Sequence, residues 1–315
     1  MTESHSQPSF APPFAPASRP SQSWQLRTRA LELGERTLVM GVVNLTPDSF
    51  SDGGRFQQSE QAVEHALRLL RHGAAMVDLG AESTRPGSRA GHPDQAAVSA
   101  AEEQDRLLPV LELLRRARPE AIVSVDTYKA ATARAALAAG AEIINDVSGF
   151  TWDSAMPAVC ARAGCGVVLM HTRGRPHEWR DQSQLAPEAV VAMVRDGLAD
   201  SLRLAVSAGL APESIVLDPG YGFGKRLEEN YALLRAQASL LALGRPLLAG
   251  LSRKSFLRQA LAARRGREVR SRAALEHASL AGLTAAILAG ASIVRVHSAA
   301  AAVEAASVAD MLLDA

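Results

Sequence analysis

Lysine is almost missing from this chain of 315 residues: of its 34 basic side chains, only Lys129, Lys225 and Lys254 are not arginine. Each retained lysine is therefore a position to examine. Cysteine is scarcer still, at Cys160 and Cys165. The two lie across a helix-to-strand junction with no further Cys or His pair at zinc spacing, which argues against a zinc site and fits a reducing, cytoplasmic compartment. An excess of either charge is absent too, with 34 Lys and Arg against 33 Asp and Glu. Binding to nucleic acid or a membrane surface needs a clustered positive field, and no basic stripe is present. Nor does any apolar run approach the ~18 residues of a membrane span. Residues 1–24 are Pro/Ser-rich and too poor in contiguous apolar residues for a signal segment. They read as a disordered arm, leaving 25–315 as one folded domain.

From residue 38 onward, short apolar runs alternate with longer Ala/Leu/Arg-rich stretches. That pattern calls for parallel strands joined by crossover helices. Strands are predicted at 38–44, 76–80, 121–125, 142–146, 166–170, 214–218, 246–250 and 292–296. The helices between and after them are predicted at 59–72, 95–117, 129–139, 154–163, 187–208, 227–242, 255–289 with a break near Arg264 to Glu268, and 299–314. Eight such units predict a closed (β/α)8 TIM barrel, with an open doubly wound sheet as the alternative. Several helices carry glycine where they should stop, as at His72-Gly73, Ala163-Gly164 and Ala289-Gly290. The loops at about 45–58 and 81–94 are longer than an ordinary βα connection requires, and long loops at that face carry function.

In such a barrel the C-terminal strand ends converge on one mouth. There the sequence puts Asn44, Glu82 with Thr84 and Arg85, Asp126, Asn145 with Asp146, His171, Asp218, Ser252 to Ser255, and Arg295 with His297. Asp126, Asn145 and Asp218 suit a planar nitrogen heterocycle. Arg295, His297, Lys254 and Arg85 read as cations suited to a phosphate, and the start of a helix at Gly250 to Phe256 adds an anion-binding N-terminus. A substrate with both parts is implied. Each residue also has a plainer reading: Asp126-Thr127 could cap the next helix, Asp218-Pro219-Gly220 is a turn signal, and His171 could be a core histidine. Asn145 is harder to dismiss, since a strand interior seldom holds Asn without a partner. Gly220-Tyr221-Gly222-Phe223-Gly224-Lys225 fits neither nucleotide-binding glycine motif.

Five segments occur in an order that resembles the dihydropteroate synthases. They are Val43-Asn44-Leu45-Thr46-Pro47-Asp48-Ser49-Phe50-Ser51-Asp52-Gly53-Gly54, Asp78-Leu79-Gly80-Ala81-Glu82-Ser83-Thr84-Arg85-Pro86-Gly87, Ser124-Val125-Asp126-Thr127, Asp218 through Lys225, and Ser252-Arg253-Lys254-Ser255-Phe256. The likeness spans about 38–297. It implies an enzyme, a transferase of folate biosynthesis and sulfonamide target, that joins 6-hydroxymethyl-7,8-dihydropterin diphosphate to p-aminobenzoate with release of diphosphate. By resemblance, Asp126, Asn145, Met170, Asp218, Phe223 and Lys254 would bind the pterin. Asn44, Arg295 and His297 would hold the diphosphate, with Asn44 also helping to place Mg²⁺. Phe50, Thr84, Arg85, Pro86 and Ser255 would form the p-aminobenzoate pocket. Asp126, Lys254 and Arg85 would serve the chemistry. A homodimer is implied as well.

The chain departs from that family's pattern in three places. Thr172-Arg173 stands where Met-Gln is usual, Ser298 follows Arg295-Val296-His297 in place of the frequent Asp, and Arg226 with Glu228-Glu229 replaces the usual Thr or Asn and His. None removes a residue assigned to chemistry. Two other readings are a methyltetrahydrofolate-binding methyltransfer barrel, which needs no diphosphate half, and a catalytically silent paralogue, which would be expected to lose Thr84-Arg85-Pro86-Gly87.

Overall fold

A computed structural model describes residues 17, 19–46, 55–85, 87–92 and 98–314, with the backbone alone at 55 and 56. A hairpin of β1 (Gln22–Gln25) and β2 (Ala30–Leu33) comes first. The barrel strands follow as β3 (Leu38–Asn44), β4 (Met76–Gly80), β5 (Val123–Asp126), β6 (Ile143–Asp146), β7 (Gly166–Met170), β8 (Ile215–Asp218), β9 (Leu247–Ala249) and β10 (Ala291–Val296). All pair in parallel around a closed ring, with β10 returning to β3. The predicted closed barrel is the observed architecture, and every predicted strand overlaps an observed one. The helices are α1 (Arg55–Arg71), α2 (Ala100–Ala117), α3 (Ala130–Ala138), α4 (Met156–Ala163), α5 (Pro187–Ser207), α6 (Leu227–Ala236), α7 (Ser255–Arg265), α8 (Arg272–Leu288) and α9 (Ala299–Leu313).

Helix ends follow local chemistry. Helix α2 begins behind Ser99, whose hydroxyl accepts from the Glu102 amide while Glu102 accepts from the Ser99 amide, so both orphan donors are satisfied. The break predicted near Arg264 to Glu268 is the α7–α8 junction. Gly266 there takes a left-handed φ of 63°, and Ser271 caps α8 through the Ala274 amide.

Residues two apart on a strand share a face, and the core divides along that rule. Val39, Val43, Val77, Leu79, Val123, Val125, Leu169 and Leu217 face outward into the layer between strands and helices. Leu38, Met40, Met76, Ile143, Val168, Val216, Leu248 and Ile293 face inward and fill the lower barrel. Beneath them the hairpin closes the floor: Trp24 is fully buried among these residues, with Leu26 and Leu33, and its indole N–H donates to the Ser214 carbonyl at 2.9 Å. Burying three such side chains contributes several kcal/mol, at ~1.5–3 kcal/mol each.

The hairpin moves the expected boundary of the arm. Residues 22–24, assigned by composition to the arm, are the first strand of the barrel floor. Strand signals were weak there, because Gln22-Ser23-Trp24-Gln25 has no β-branched residue. Further back, Arg19 pairs with Asp310 of α9 at 2.8 Å, and Asp310 also accepts from the Thr37 amide.

Candidate active site

Following each inward-facing series toward the C-terminal strand ends replaces hydrocarbon with polar groups. Met76 leads to Asp78 and Gly80, Ile143 to Asn145, Val216 to Asp218 and Ile293 to Arg295. Two of the wall positions are glycine, and there the missing side chain makes room. A Cβ at Gly80 would lie 3.4 Å from the Asp126 Cβ, and one at Gly250 would lie 3.8 Å from Asp218 Oδ2 and 3.9 Å from the Arg295 Cβ. Asp126, Asp218 and Arg295 therefore converge on one opening.

Arg295 is the hub of the site. Its Nε donates to Asp78 Oδ2 at 2.6 Å and its Nη2 to Asp126 Oδ2 at 2.7 Å, while Asn145 Nδ2 donates to the same Asp78 oxygen at 3.0 Å. Asp78 is fully buried, and the sequence reading gave it no role. A charge in the middle of Met76-Val77-Asp78-Leu79-Gly80 was the available signal, since a buried carboxylate needs a cation and donors to offset its desolvation. Burial works against the Arg295 charge, yet Asp78 and Asp126 overcome it and hold the guanidinium more firmly protonated than usual.

Burial also pushes Asp126 up to about 7, with Asp78 and Glu103 adding to the rise and Arg295 and Lys254 opposing it. Lys254 moves the other way, to about 8, through burial and the neighbouring Arg295 charge. Its Nζ sits 3.9 Å above the centre of the Phe223 ring, and its stem crosses Gly222, where a Cβ would come within 3.4 Å of its Cδ. Asp218 is raised by burial and steadied by the Gly220 amide, which donates to Oδ1 at 2.7 Å. Met170 packs with Ala90, Tyr128 and Val147 in a small apolar cluster that Trp152 and Phe223 join. One rim thus brings together carboxylate and amide groups, an apolar cluster and a lysine.

Basic groups stand on the β9–β10 side of the mouth. His297 takes its Ser252 contact through Nδ1 at 3.0 Å, and Arg253 is held by Glu276 and by Ser279, whose hydroxyl accepts its amide. The sequence grouped His297 with the cations, and here the site differs. Burial, together with Arg253, Arg295, Lys254 and Arg85, lowers its pKa to about 3, so the free site presents a neutral imidazole. Ser255 is exposed at the first turn of α7, with Lys254 as the residue before it.

The remaining assignments divide. Asn44 ends β3 half-buried beside Gly80, and Thr84 and exposed Arg85 lie in the loop after β4. Phe50 and Pro86 fall outside the described residues. Asp126 does not cap α3: its carboxylate goes to Arg295, and the Ala130 amide is taken by Asp153. His171 is buried, with its Cδ2 only 2.6 Å from where a Cβ on Gly197 would stand, as expected of a wall residue. Glu82 is paired with Lys129, which also reaches Glu103 at 3.3 Å, so the loop bearing Thr84 and Arg85 is tied at its root to α3. Two of the departures from the family pattern meet in space: Arg173 faces the buried Glu229 at 3.6 Å. Arg226 donates to the Gln182 carbonyl at 2.6 Å.

The class is that of the pterin-binding enzymes, since a family model described as "Pterin binding enzyme" matches residues 40–297, from β3 through the end of β10. The dihydropteroate synthase of a Synechocystis species is 37% identical over 305 residues, 96% of each chain. That of Xanthomonas albilineans, solved with 4-aminobenzoic acid, superposes with a TM-score of 0.81 at 38% identity, covering 94% of this chain and 100% of that one. Its complex with 7,8-dihydropteroate gives 0.77 at 36% identity, covering 93% and 99%. The Yersinia pestis enzyme, solved with a sulfonamide drug, gives 0.81 at 37% identity, covering 93% and 100%. The chain belongs to the dihydropteroate synthase family.

Proposed function

We propose that this chain condenses 6-hydroxymethyl-7,8-dihydropterin diphosphate with p-aminobenzoate to give 7,8-dihydropteroate and diphosphate. The observation that carries the reading is the opposition, across one mouth, of Asp126 and Asp218 to Arg295 and Lys254. Asp218 has one oxygen on the Gly220 amide, and the other would accept the pterin's amino and ring N–H donors, as a carboxylate accepts a fork. Asn145 and Asp126 would take the opposite pterin edge and Lys254 the carbonyl, with Met170 and Phe223 packing against the ring faces.

The step is a substitution at the exocyclic methylene. Its C–O bond to diphosphate breaks with the electron pair leaving on oxygen, and the resulting cation is spread into the pterin ring. The amine nitrogen of p-aminobenzoate then forms the new C–N bond and gives up a proton. Arg295 and His297 would stabilise the leaving anion, and ionised Asp126 the cation. Thr84, Arg85 and Ser255, with Phe50 and Pro86, would receive p-aminobenzoate, its carboxylate at the α7 N-terminus. A sulfonamide should compete there.

Mg²⁺ is part of this reading. Among the described residues no group of three His, Cys, Asp or Glu side chains is arranged around a cation, while Asn44, half-buried at the end of β3, would supply an amide oxygen. That donor set fits an ion carried mainly on substrate phosphate oxygens and water. When bound, the ion would neutralise leaving-group charge. A cytoplasmic homodimer is proposed as well. The described residues include no helix long and apolar enough to cross a membrane. Helix α9 leaves Val308, Met311 and Leu312 at 64%, 70% and 53% exposure, a face suited to a second copy.

The test is diphosphate release by the purified chain given the pterin diphosphate and Mg²⁺, with and without p-aminobenzoate. Release coupled to dihydropteroate formation is the expected result. Tight pterin binding with no turnover would favour a methyltransfer module or a silent paralogue.

A further inference from the structure

The loop after β8, Pro219 to Lys225, resembles a phosphate loop in its glycines and behaves as the opposite. Three of its amides are already spent: the Gly220 amide donates to Asp218, the Gly222 amide to Asn230 Oδ1 at 2.6 Å, and the Phe223 amide to the Gly220 carbonyl. Its carbonyls instead surround a cation supplied by the loop itself. Lys225 Nζ donates to the carbonyls of Gly220 at 2.7 Å, Phe223 at 3.2 Å and, across from the end of β7, His171 at 3.2 Å. Gly220 makes this closure possible, because at its φ of 69° a Cβ would lie 1.9 Å from the His171 oxygen.

We propose that Lys225 is a positioning residue for pterin recognition: its ammonium, ringed by three carbonyls, fixes the loop that presents Asp218 and Phe223 to the pocket. The inference rests on the pterin reading of the site. A neutral amine has two N–H bonds for three acceptors, so the ring requires the protonated form, although burial pushes the group down to about 7. Arginine's planar fork cannot reach three acceptors arranged about one nitrogen. That explains a lysine here in a chain that uses arginine nearly everywhere else. Asn230 locks the outer side of the same loop through the Lys225 and Arg226 carbonyls. The two groups Lys225 steadies then meet the ligand differently, Asp218 at the ring edge and Phe223 at its face beneath Lys254.

The test compares wild type, Lys225→Met and Lys225→Arg by calorimetry with 6-hydroxymethyl-7,8-dihydropterin diphosphate and by kinetics in both substrates. Loss of a charged hydrogen-bonded anchor predicts, in Lys225→Met, a rise of about tenfold or more in pterin Kd and KM, with p-aminobenzoate KM and kcat within about twofold. Lys225→Arg should fall short of wild type in the same parameter. Unchanged pterin affinity, or an equal rise in both KM values, overturns the proposal. If neither variant folds, the wild type supplies a second readout, since ε-¹³C-labelled lysine gives three signals, assignable through Lys129 and Lys254 variants. The Lys225 signal should move on pterin binding, and a signal indifferent to the pterin overturns the proposal. A wild type that binds no pterin would refute the dihydropteroate reading instead, so the two failures are distinguishable.

Discussion

The lower and upper halves of the barrel interior are built by the same strands, one inward-facing position apart. Below, Met76, Ile143, Val216 and Ile293 pack on the Trp24 hairpin and bury hydrocarbon. Above, Asp78, Asn145, Asp218 and Arg295 exchange that packing for a charge network with little solvent to screen it. The floor supplies the free energy that lets the mouth hold buried carboxylates whose desolvation opposes folding. Stability and chemistry should therefore be separable by mutation.

The sharpest way to break the comparison is at its base. Trp24→Ala removes the largest buried side chain of the floor and its bond to Ser214, and should cost about 3–5 kcal/mol in denaturant unfolding while the folded fraction keeps its kcat. A variant as stable as wild type would mean that the hairpin does not plug the barrel. At the mouth, Asp126→Asn should lower kcat by roughly a hundredfold to a thousandfold, the scale of losing one preorganised electrostatic stabiliser, with the far-UV spectrum unchanged. Retained turnover would remove Asp126 from the mechanism.

Proton linkage sharpens the contrast further. Asp126 ionises at about 7 in the folded chain and near 4 when unfolded, so the folded state binds more protons between those values. Its contribution to stability is fully present below the unfolded value and is lost as pH rises through 7. The melting-temperature difference between Asp126→Asn and wild type should accordingly shift in favour of the variant between about pH 4 and pH 8, and a difference independent of pH would contradict the burial account. His297 adds a smaller effect. It is neutral because burial and four cations oppose its charge, so an arriving diphosphate should raise its pKa and binding should take up protons. Calorimetry in buffers of different ionisation enthalpy measures that uptake, and buffer-independent heats would argue against it. Smallest of all, Arg173 and Glu229 should couple by about 0.5–1 kcal/mol in a double-mutant cycle, whereas additive effects would make their meeting incidental.

Much of this was legible in the sequence because the barrel repeats two strong periodicities. The strands were visible as apolar runs, and the polar residues at their ends, Asn145, Asp218 and Arg295 among them, lie at the mouth as read. What escaped depended on contacts between distant segments. Asp78 gains its importance only where Arg295 and Asn145 meet it across the barrel. The charge state of His297 is set by Arg253, Arg295, Lys254 and Arg85 together, which no local pattern encodes. The floor hairpin was hidden by a composition that resembles the arm before it. The glycine loop matches no nucleotide-binding motif, and the ring of carbonyls around Lys225 is evident only from their direction in space.

The most direct test of the division between floor and mouth is single-turnover diphosphate release by wild type, Trp24→Ala and Asp126→Asn, at a temperature where all three are folded. The account predicts a rate near wild type for Trp24→Ala and a collapse for Asp126→Asn. Equal loss in both, or loss only in Trp24→Ala, would contradict it.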